Sequence, residues 1–232
     1  MMFRQWTRRF FYRLPSQCAV CNAWPSQGLC ESCVGLFAQP CARCSRCALP
    51  VLPGMDQCAT CKNQPPHIDA AHAAVSYGFP WVKLVHDFKF HDRPAWARSM
   101  ATLMRSTPWV DPALDAAHWV VPMPLSQERL RQRGFNQAYV LARELAPTVV
   151  RKDLLLRIRD TPAQSSLPRR ERMANVQNVF AIEPLQHHQL QGKRIVLVDD
   201  VMTSGASLNA AAHTLKHAGA QHVTALVFAR TD

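Results

Sequence analysis

The sequence predicts an α/β protein, with a doubly wound parallel sheet that follows a small N-terminal metal-binding module. From residue 71 onward, segments typical of strands alternate with segments typical of helices, and this order builds parallel sheets. Residues 195–198 (IVLV) are apolar without alternation, as expected of a strand buried on both faces. All nine cysteines precede residue 62, so the metal-binding module and the sheet occupy separate parts of the chain.

Composition narrows the class of protein. The formal net charge of +11 favours a polyanionic partner, either nucleic acid or a phosphorylated substrate. No apolar run is long enough to span a membrane. The first residues are basic and aromatic but lack the apolar core of a secretory signal, so we expect a cytoplasmic protein. The predicted units are a basic leader (1–17), a cysteine-rich module (18–66) and the α/β domain (67–232).

The cysteines have the spacing of zinc knuckles. Three CxxC pairs are Cys18/Cys21, Cys30/Cys33 and Cys58/Cys61, and the segment from Cys41 through Cys44 to Cys47 offers two overlapping pairs. A tetrahedral zinc site takes four ligands, so eight cysteines form two sites and one is left over. Without an export signal, the pattern favours zinc over disulfides, and a redox role for the pairs is the weaker alternative.

Two arginines lie between the central cysteines. Arg43 and Arg46 would face either nucleic acid or solvent. The module is too small to fold around an apolar core alone, so metal would provide its stability. No histidine or open ligand position is evident, which predicts structural zinc ions.

The elements of the α/β domain follow a proline-containing linker over residues 62–72. The patterns predict a first strand, a turn at Gly78–Pro80, a helix that ends near Lys89 and a second helix over 95–106. A short strand, WVVPMPL, is stopped by Pro122 and Pro124, and Asn136 caps the helix that follows it. Residues 187–193 form a polar turn, and 222–230 form the last strand.

The segment that follows the buried strand carries the chemistry. Asp199 and Asp200 stand at its carboxyl end, where open α/β sheets bind ligands. The next residues are small and hydroxyl-bearing, and their backbone N–H groups at a helix N-terminus form a cradle for a phosphate monoester. Glycine lets the backbone approach the phosphate closely. The acids suit ribose hydroxyls or a magnesium ion. The cradle consists of Thr203, Ser204, Gly205, Ala206 and Ser207.

Three alternatives are weaker. A Walker A loop requires a lysine, and none lies in this turn. A receiver domain places its acidic pair near its start, whereas only 32 residues follow Asp200. The remaining alternative is a buried strand followed by two acids that cap a helix.

The motif IVLVDDVMTSGAS (195–207) resembles the phosphoribosyl-pyrophosphate (PRPP) signature of type I phosphoribosyltransferases. Nearly the whole chain resembles the ComF family, competence proteins with a zinc-ribbon front and a phosphoribosyltransferase-like domain. The segment RGFNQ (133–137) is characteristic of that family. Ser204 and Ser207 stand where the family more often has threonine. The resemblance implies the type I phosphoribosyltransferase fold behind a double zinc ribbon.

The resemblance also implies the ligand sets. The family has a CxxC followed by proline, which Cys44, Cys47 and Pro50 match. This assigns Cys18, Cys21, Cys30 and Cys33 to one zinc and Cys44, Cys47, Cys58 and Cys61 to the other, with Cys41 left over.

The family further implies a PRPP site with Mg²⁺. The loop Pro122, Met123, Pro124, Leu125 resembles the pyrophosphate loop, and Arg133 would reach a diphosphate through its guanidinium fork. Lys83 and Lys89 match basic positions of the family, with surface lysines as the alternative. Residues 157–180 resemble the catalytic loop that closes over substrate. Its members Thr161, Gln164, Leu167, Arg172, Asn175 and Phe180 follow the family pattern, and Arg172 would contact PRPP.

Two functions are therefore predicted. In the first, Asp199, Asp200 and Arg133 act in phosphoribosyl transfer from PRPP to an unknown acceptor, in a protein that serves DNA uptake or use. In the second, the fold is a non-catalytic scaffold that binds single-stranded DNA beside the uptake machinery. The basic cluster Arg169, Arg170 and Arg172 is the predicted DNA contact, and Phe135 and Phe180 are the aromatic residues nearby. An adaptor built on the zinc ribbons leaves the PRPP-like motif unexplained.

Overall fold

A four-stranded parallel sheet forms the centre of the computed structural model, which describes residues 16–90, 96–159 and 179–231. The strands are β1 (Ala70–Ser76), β2 (Trp119–Pro122), β3 (Leu155–Arg157), β4 (Phe180–Ile182), β5 (Arg194–Met202) and β6 (His222–Arg230). The helices are α1 (Glu31–Phe37), α2 (Ala59–Asn63), α3 (Trp81–Phe90), α4 (Trp96–Arg105), α5 (Val110–Asp115), α6 (Gln127–Arg133), α7 (Gln137–Leu145) and α8 (Ala206–His217).

The strand order in the main sheet is β1-β6-β5-β2, and all neighbours are parallel. Both faces of the sheet are covered. Ile195 and Leu197 of β5 belong to a core that contains the apolar side of α8, whereas Val196 and Val198 belong to a second core with α3, α4 and α7. The prediction of a doubly wound parallel sheet is therefore confirmed.

The helices and strands of the α/β domain follow the sequence pattern with three differences. Strand β5 does not end at Val198 but continues through both acids to Met202, because β6 pairs with it along this whole length. The predicted polar turn at 187–193 is mostly a 3₁₀ helix over Pro184–Leu190. A short antiparallel ladder between β3 and β4, which the sequence pattern did not predict, joins the residues on either side of 160–178.

Arginines hold the cysteine-rich module to the sheet. Arg46 donates to the carbonyl oxygens of Asp69 (3.2 Å) and Pro66 (3.0 Å). Arg43 donates to Ala48 O and to Ser76 Oγ, both at 3.1 Å. Both side chains are half-buried, and the interpretations made from the sequence, a nucleic-acid contact or a solvated surface, did not include this structural role. The boundary at residue 67 stays a prediction. Within the described ranges, no helix has both the length and the apolar character that crossing a membrane requires.

Candidate functional site

A cleft of about 490 Å³ lies at the carboxyl ends of β2 and β5, beside the start of α8. Ten of the residues predicted to bind PRPP line it: Met123, Pro124, Leu125, Arg133, Asp199, Asp200, Thr203, Gly205, Ala206 and Ser207. Pro122 is buried in β2 and is not part of the lining. Ser204 is also absent from the lining, and its hydroxyl accepts a hydrogen bond from Ala206 N at 3.4 Å. The predicted contact Arg172 lies outside the described residues.

The two acids of the cleft have different environments. Asp199 is half-buried, Asp200 is buried, and the backbone N–H of Asp200 donates to Asp199 Oδ1 at 2.9 Å. Burial and the negative charge of Asp200 raise the pKa of Asp199 to about 8, although the charge of Lys89 acts in the opposite direction. A group that binds between these carboxylates must therefore supply positive charge or hydrogen-bond donors.

Lys83 and Lys89, which the sequence could not distinguish, have different partners and different exposure in the structure. Lys89, at the end of α3, places its Nζ 2.8 Å from Asp200 Oδ2, and both side chains are mostly buried. Lys83, six residues earlier in the same helix, pairs with Asp87 at 3.2 Å, and its side chain is 80% exposed. Of these two lysines, only Lys89 lies at the cleft.

The segment predicted to form a phosphate cradle lies at the N-terminus of α8. Gly205 is the N-cap of α8 with φ = 76°, a left-handed conformation that favours glycine. A Cβ there would meet Met202 Sδ only at 3.6 Å, so backbone conformation rather than space requires the glycine. The twelve-residue helix directs its N-terminal N–H groups and the positive end of its dipole toward the loop. This arrangement suits a phosphate group.

The ERLRQRGFNQ segment folds as two helices joined by a tight turn. Ser126 caps α6 and accepts from Arg129 N at 3.3 Å, and Gly134 ends this helix with φ = 74°. Asn136 caps α7, as predicted, and its side-chain amide also donates to Met123 O at 3.1 Å. The family-characteristic asparagine therefore fixes the proline-containing loop at the cleft.

The helical geometry places the three arginines of α6 on two different faces of the helix. Arg129 and Arg133 are four residues apart, lie on one face and line the cleft, whereas Arg131 is exposed on another face. Arg133 donates to the buried Gln137 Oε1 at 3.1 Å, and its guanidinium lies 5.1 Å from the centre of the Phe90 ring. These contacts hold the guanidinium at the cleft.

Several cleft residues were not assigned to the site from the sequence. Arg129, Arg157, Tyr77 and Phe90 line the cleft in addition to the predicted residues. Among the described residues, the cleft carries four cationic side chains, those of Lys89, Arg129, Arg133 and Arg157, against the carboxylates of Asp199 and Asp200. This excess of positive charge beside two acids suits a ligand that combines phosphate groups with hydroxyls.

The aromatic residues named from the sequence are not those at the cleft. Phe180 is buried in the core on the α8 side, and Phe135 packs against Phe88 with ring centres 5.8 Å apart. Phe90 and Tyr77, with 55% and 37% of their surfaces exposed, lie at the cleft instead. Their position depends on how α3 and the end of β1 meet the loop, which no local pattern reveals.

The cysteines form two clusters of four. Within each cluster the sulfur atoms all lie within 4.8 Å of one another, and Cys21–Cys30 and Cys47–Cys58 are 3.6 and 3.8 Å apart. A tetrahedral Zn²⁺ with Zn–S bonds of about 2.3 Å separates its sulfurs by about 3.8 Å, so both sets fit zinc. The clusters are Cys18, Cys21, Cys30, Cys33 (the first cluster) and Cys44, Cys47, Cys58, Cys61 (the second cluster), and Cys41 is exposed outside them.

Comparisons with known proteins agree with this architecture. Residues 130–231 match the model of the phosphoribosyl transferase domain. The chain is 30% identical to the DNA utilization protein YhgH of Salmonella typhimurium, with 94% of this chain and 98% of that protein aligned. It is 27% identical to Competence protein F of Haemophilus influenzae over 88% of this chain and 90% of that protein. A shorter match, 38% identical over 104 residues, is to Competence protein ComFC of Bacillus subtilis, covering 44% and 40% of the two chains.

Proposed function

The chain belongs to the ComF family, and we propose that its α/β domain binds PRPP with Mg²⁺ in the cleft between β2, β5 and α8. One observation carries this proposal: the acidic pair, the phosphate cradle and a set of cationic side chains line the same cleft. PRPP presents a 5-phosphate, two ribose hydroxyls and a diphosphate. Each of these groups has a chemically matched partner among the lining residues.

The cradle and the acids would orient the sugar. The N–H groups at the start of α8 and the hydroxyls of Thr203 and Ser207 suit the 5-phosphate. Asp199 and Asp200 accept hydrogen bonds from the ribose hydroxyls or hold the metal. Mg²⁺, when bound, would supply positive charge for the ribose and diphosphate oxygens. Binding would therefore favour the ionised form of Asp199.

The cationic side chains would act at the leaving group. Breaking the bond from the anomeric carbon to the diphosphate oxygen releases pyrophosphate with the bonding electrons, while an acceptor nucleophile forms the new bond to that carbon. Arg133 and Arg129 lie on the α6 face at the cleft and would stabilise the charge that develops on the diphosphate. We propose this transfer as the reaction, with the acceptor class still open.

The two cysteine clusters would hold structural Zn²⁺. Each offers four thiol groups, and among the described residues no further Cys, His, Asp or Glu belongs to either cluster. Metal binding would supply most of the folding free energy of a module with so few buried apolar side chains. Nine free cysteines with eight in metal-type clusters suit a reducing cytoplasm.

Isothermal titration with PRPP and Mg²⁺ tests the proposal. We expect saturable binding that excess ribose 5-phosphate competes away, because the monophosphate occupies the same cradle. Release of pyrophosphate on addition of an acceptor would establish transfer. The absence of both heat and competition would contradict a PRPP site.

The second candidate function is binding of single-stranded DNA in the same cleft. The observation in its favour is an exposed ring, Phe90, with the Arg133 guanidinium over it, because a base can stack on such a platform. Relatives named for DNA utilization and competence, and the net charge of +11, agree with it. Two results would support it: single-stranded DNA displaces PRPP from the wild-type protein, and the Phe90→Ala variant binds that DNA more weakly. Unchanged DNA affinity in that variant would contradict it.

A further inference from the structure

A buried arginine connects the second cysteine cluster to the phosphate cradle. Arg230 is the last residue of β6 and is only 5% exposed. Its Nε donates to Cys47 O at 2.9 Å, and Cys47 is a member of the second cluster. Its Nη1 donates to Met202 O at 3.2 Å and also to Thr203 O, the carbonyl of the first residue of the cradle. One guanidinium therefore joins backbone carbonyls from both sites.

The backbone around this arginine is held from several sides. Met202 and Arg230 are paired in the β5–β6 ladder, and Thr231 N donates to Met202 O at 3.0 Å. Since the strand ends are fixed, the position of the guanidinium depends on the carbonyls that it contacts. The carbonyl of Cys47 belongs to the knuckle, and the knuckle takes its conformation when four thiolates surround a metal ion.

We infer that Arg230 is a positioning residue that couples metal at the second cluster to phosphate binding at the cradle. The inference rests on the proposed function. A metal ion at the second cluster would fix the position of Cys47 O. That carbonyl orients the Arg230 guanidinium, and the guanidinium holds Thr203 O at the start of the cradle. If Cys47 O is not held in place, the buried Arg230 guanidinium lacks one hydrogen-bond acceptor. Thr203 O in the cradle then loses a hydrogen-bond donor that is held in a fixed position. The cysteine-rich module thus supports the PRPP site indirectly, through Arg230, without contacting the ligand itself.

Coupling of this kind is reciprocal. If metal at the second cluster strengthens PRPP binding, PRPP must strengthen metal retention there by the same factor. The contacts that the described residues show for Arg230 include none with the first cluster, so the metal of that cluster serves as an internal reference. We therefore expect PRPP with Mg²⁺ to slow the release of one zinc equivalent and not the other.

The experiment follows zinc release from the full chain to a zinc-selective colorimetric chelator, with and without saturating PRPP and Mg²⁺. In wild type we expect one of two release phases to slow by about tenfold, within the range of coupled sites. Arg230→Gln should remove the slowing. Arg46→Gln is the matched control, because Arg46 ties the same module to Asp69 O beside β1, away from the cradle.

The outcomes separate the inference from the proposed function. If wild type shows no PRPP binding in calorimetry, the proposed function fails. If wild type binds PRPP but both zinc phases are unaffected, the coupling is absent and the inference is overturned. Equal slowing in wild type and Arg230→Gln overturns it as well. If Arg230→Gln does not fold, PRPP affinity is measured for wild-type protein that lacks one of its two zinc ions. The coupling predicts weaker PRPP binding when the second cluster is empty and unchanged binding when the first cluster is empty.

Discussion

Lys89 Nζ lies 2.8 Å from Asp200 Oδ2, so the end of α3 provides a partner for the second acid of the PRPP-like motif. Both side chains are largely removed from water, with 19% and 8% of their surfaces exposed. The two residues are far apart in sequence and come from different elements. The pair links the helix that follows β1 to the two acids on β5.

Replacing Lys89 by methionine should lower the free energy of unfolding by on the order of 3 kcal/mol, because it leaves a buried carboxylate without its ion-pair partner. The matched control is Lys83→Met, which removes an exposed lysine from the same helix and should cost no more than about 0.5 kcal/mol. Urea unfolding of both variants measures the difference. Similar decreases in unfolding free energy in the two variants would show that the Lys89–Asp200 pair contributes no more to stability than an exposed ion pair.

The pKa of Asp199 predicts the pH dependence of stability in the unliganded protein. Its folded pKa is raised to about 8 from an ordinary value of 3.8. Between these values the folded state keeps a proton that the unfolded state has lost, so this group's contribution is fully present below about pH 4. It declines as the pH rises and is gone above about pH 8, with a slope of at most about 1.4 kcal/mol per pH unit.

Asp199→Asn removes this titration, and the measurement is the difference between wild type and variant in unfolding free energy across pH 5 to 9, a range that spans the raised pKa. We expect wild type to lose stability relative to the variant as the pH increases. A difference that is constant over the range would mean that Asp199 ionises normally in the folded protein.

The cysteine clusters predict a metal stoichiometry of two with one dispensable cysteine. Cys44→Ser should reduce bound zinc from two equivalents to one, since the second cluster loses a ligand. Cys41→Ser should leave two equivalents, because Cys41 lies outside both clusters. Elemental analysis of the purified proteins gives the counts. Loss of zinc from Cys41→Ser would instead place that residue in a coordination shell.

The two faces of α6 predict different roles for its arginines. Arg133→Gln should weaken PRPP binding by about tenfold or more, the cost of one charge-assisted hydrogen bond to a diphosphate. Arg131→Gln has the same change in charge on the exposed face and should alter the affinity by less than about twofold. Calorimetry at one ionic strength compares them. Equal effects would indicate a general electrostatic attraction rather than a specific contact.

Local pattern was enough to predict the elements that carry the site. The unalternating run at 195–198, the cap at Asn136 and the glycine before α8 each determine structure within a few residues, so β5, α7 and α8 begin within about two residues of where the sequence indicates, although β5 is longer than predicted. The strands β3 and β4 escaped prediction because three residues carry no measurable period.

Long-range contacts account for the rest. Whether Lys89 or Lys83 meets the acids depends on which face of α3 turns toward β5, and the sequence left both open. Arg43 and Arg46 resemble surface arginines until the fold places backbone carbonyls within 3.2 Å of them. Arg230 ends an apolar strand, and three of the carbonyls that it contacts, those of Thr203, Met202 and Cys47, lie 27, 28 and 183 positions away. No spacing rule connects residues so distant.

The most direct test of the central claim is calorimetric titration of PRPP and Mg²⁺ into the zinc-loaded protein and into the Asp199→Asn/Asp200→Asn double variant. We predict saturable binding to wild type and its loss in the double variant, with Lys83→Met binding as wild type does. Binding that survives the loss of both acids would contradict a PRPP site at the end of β5.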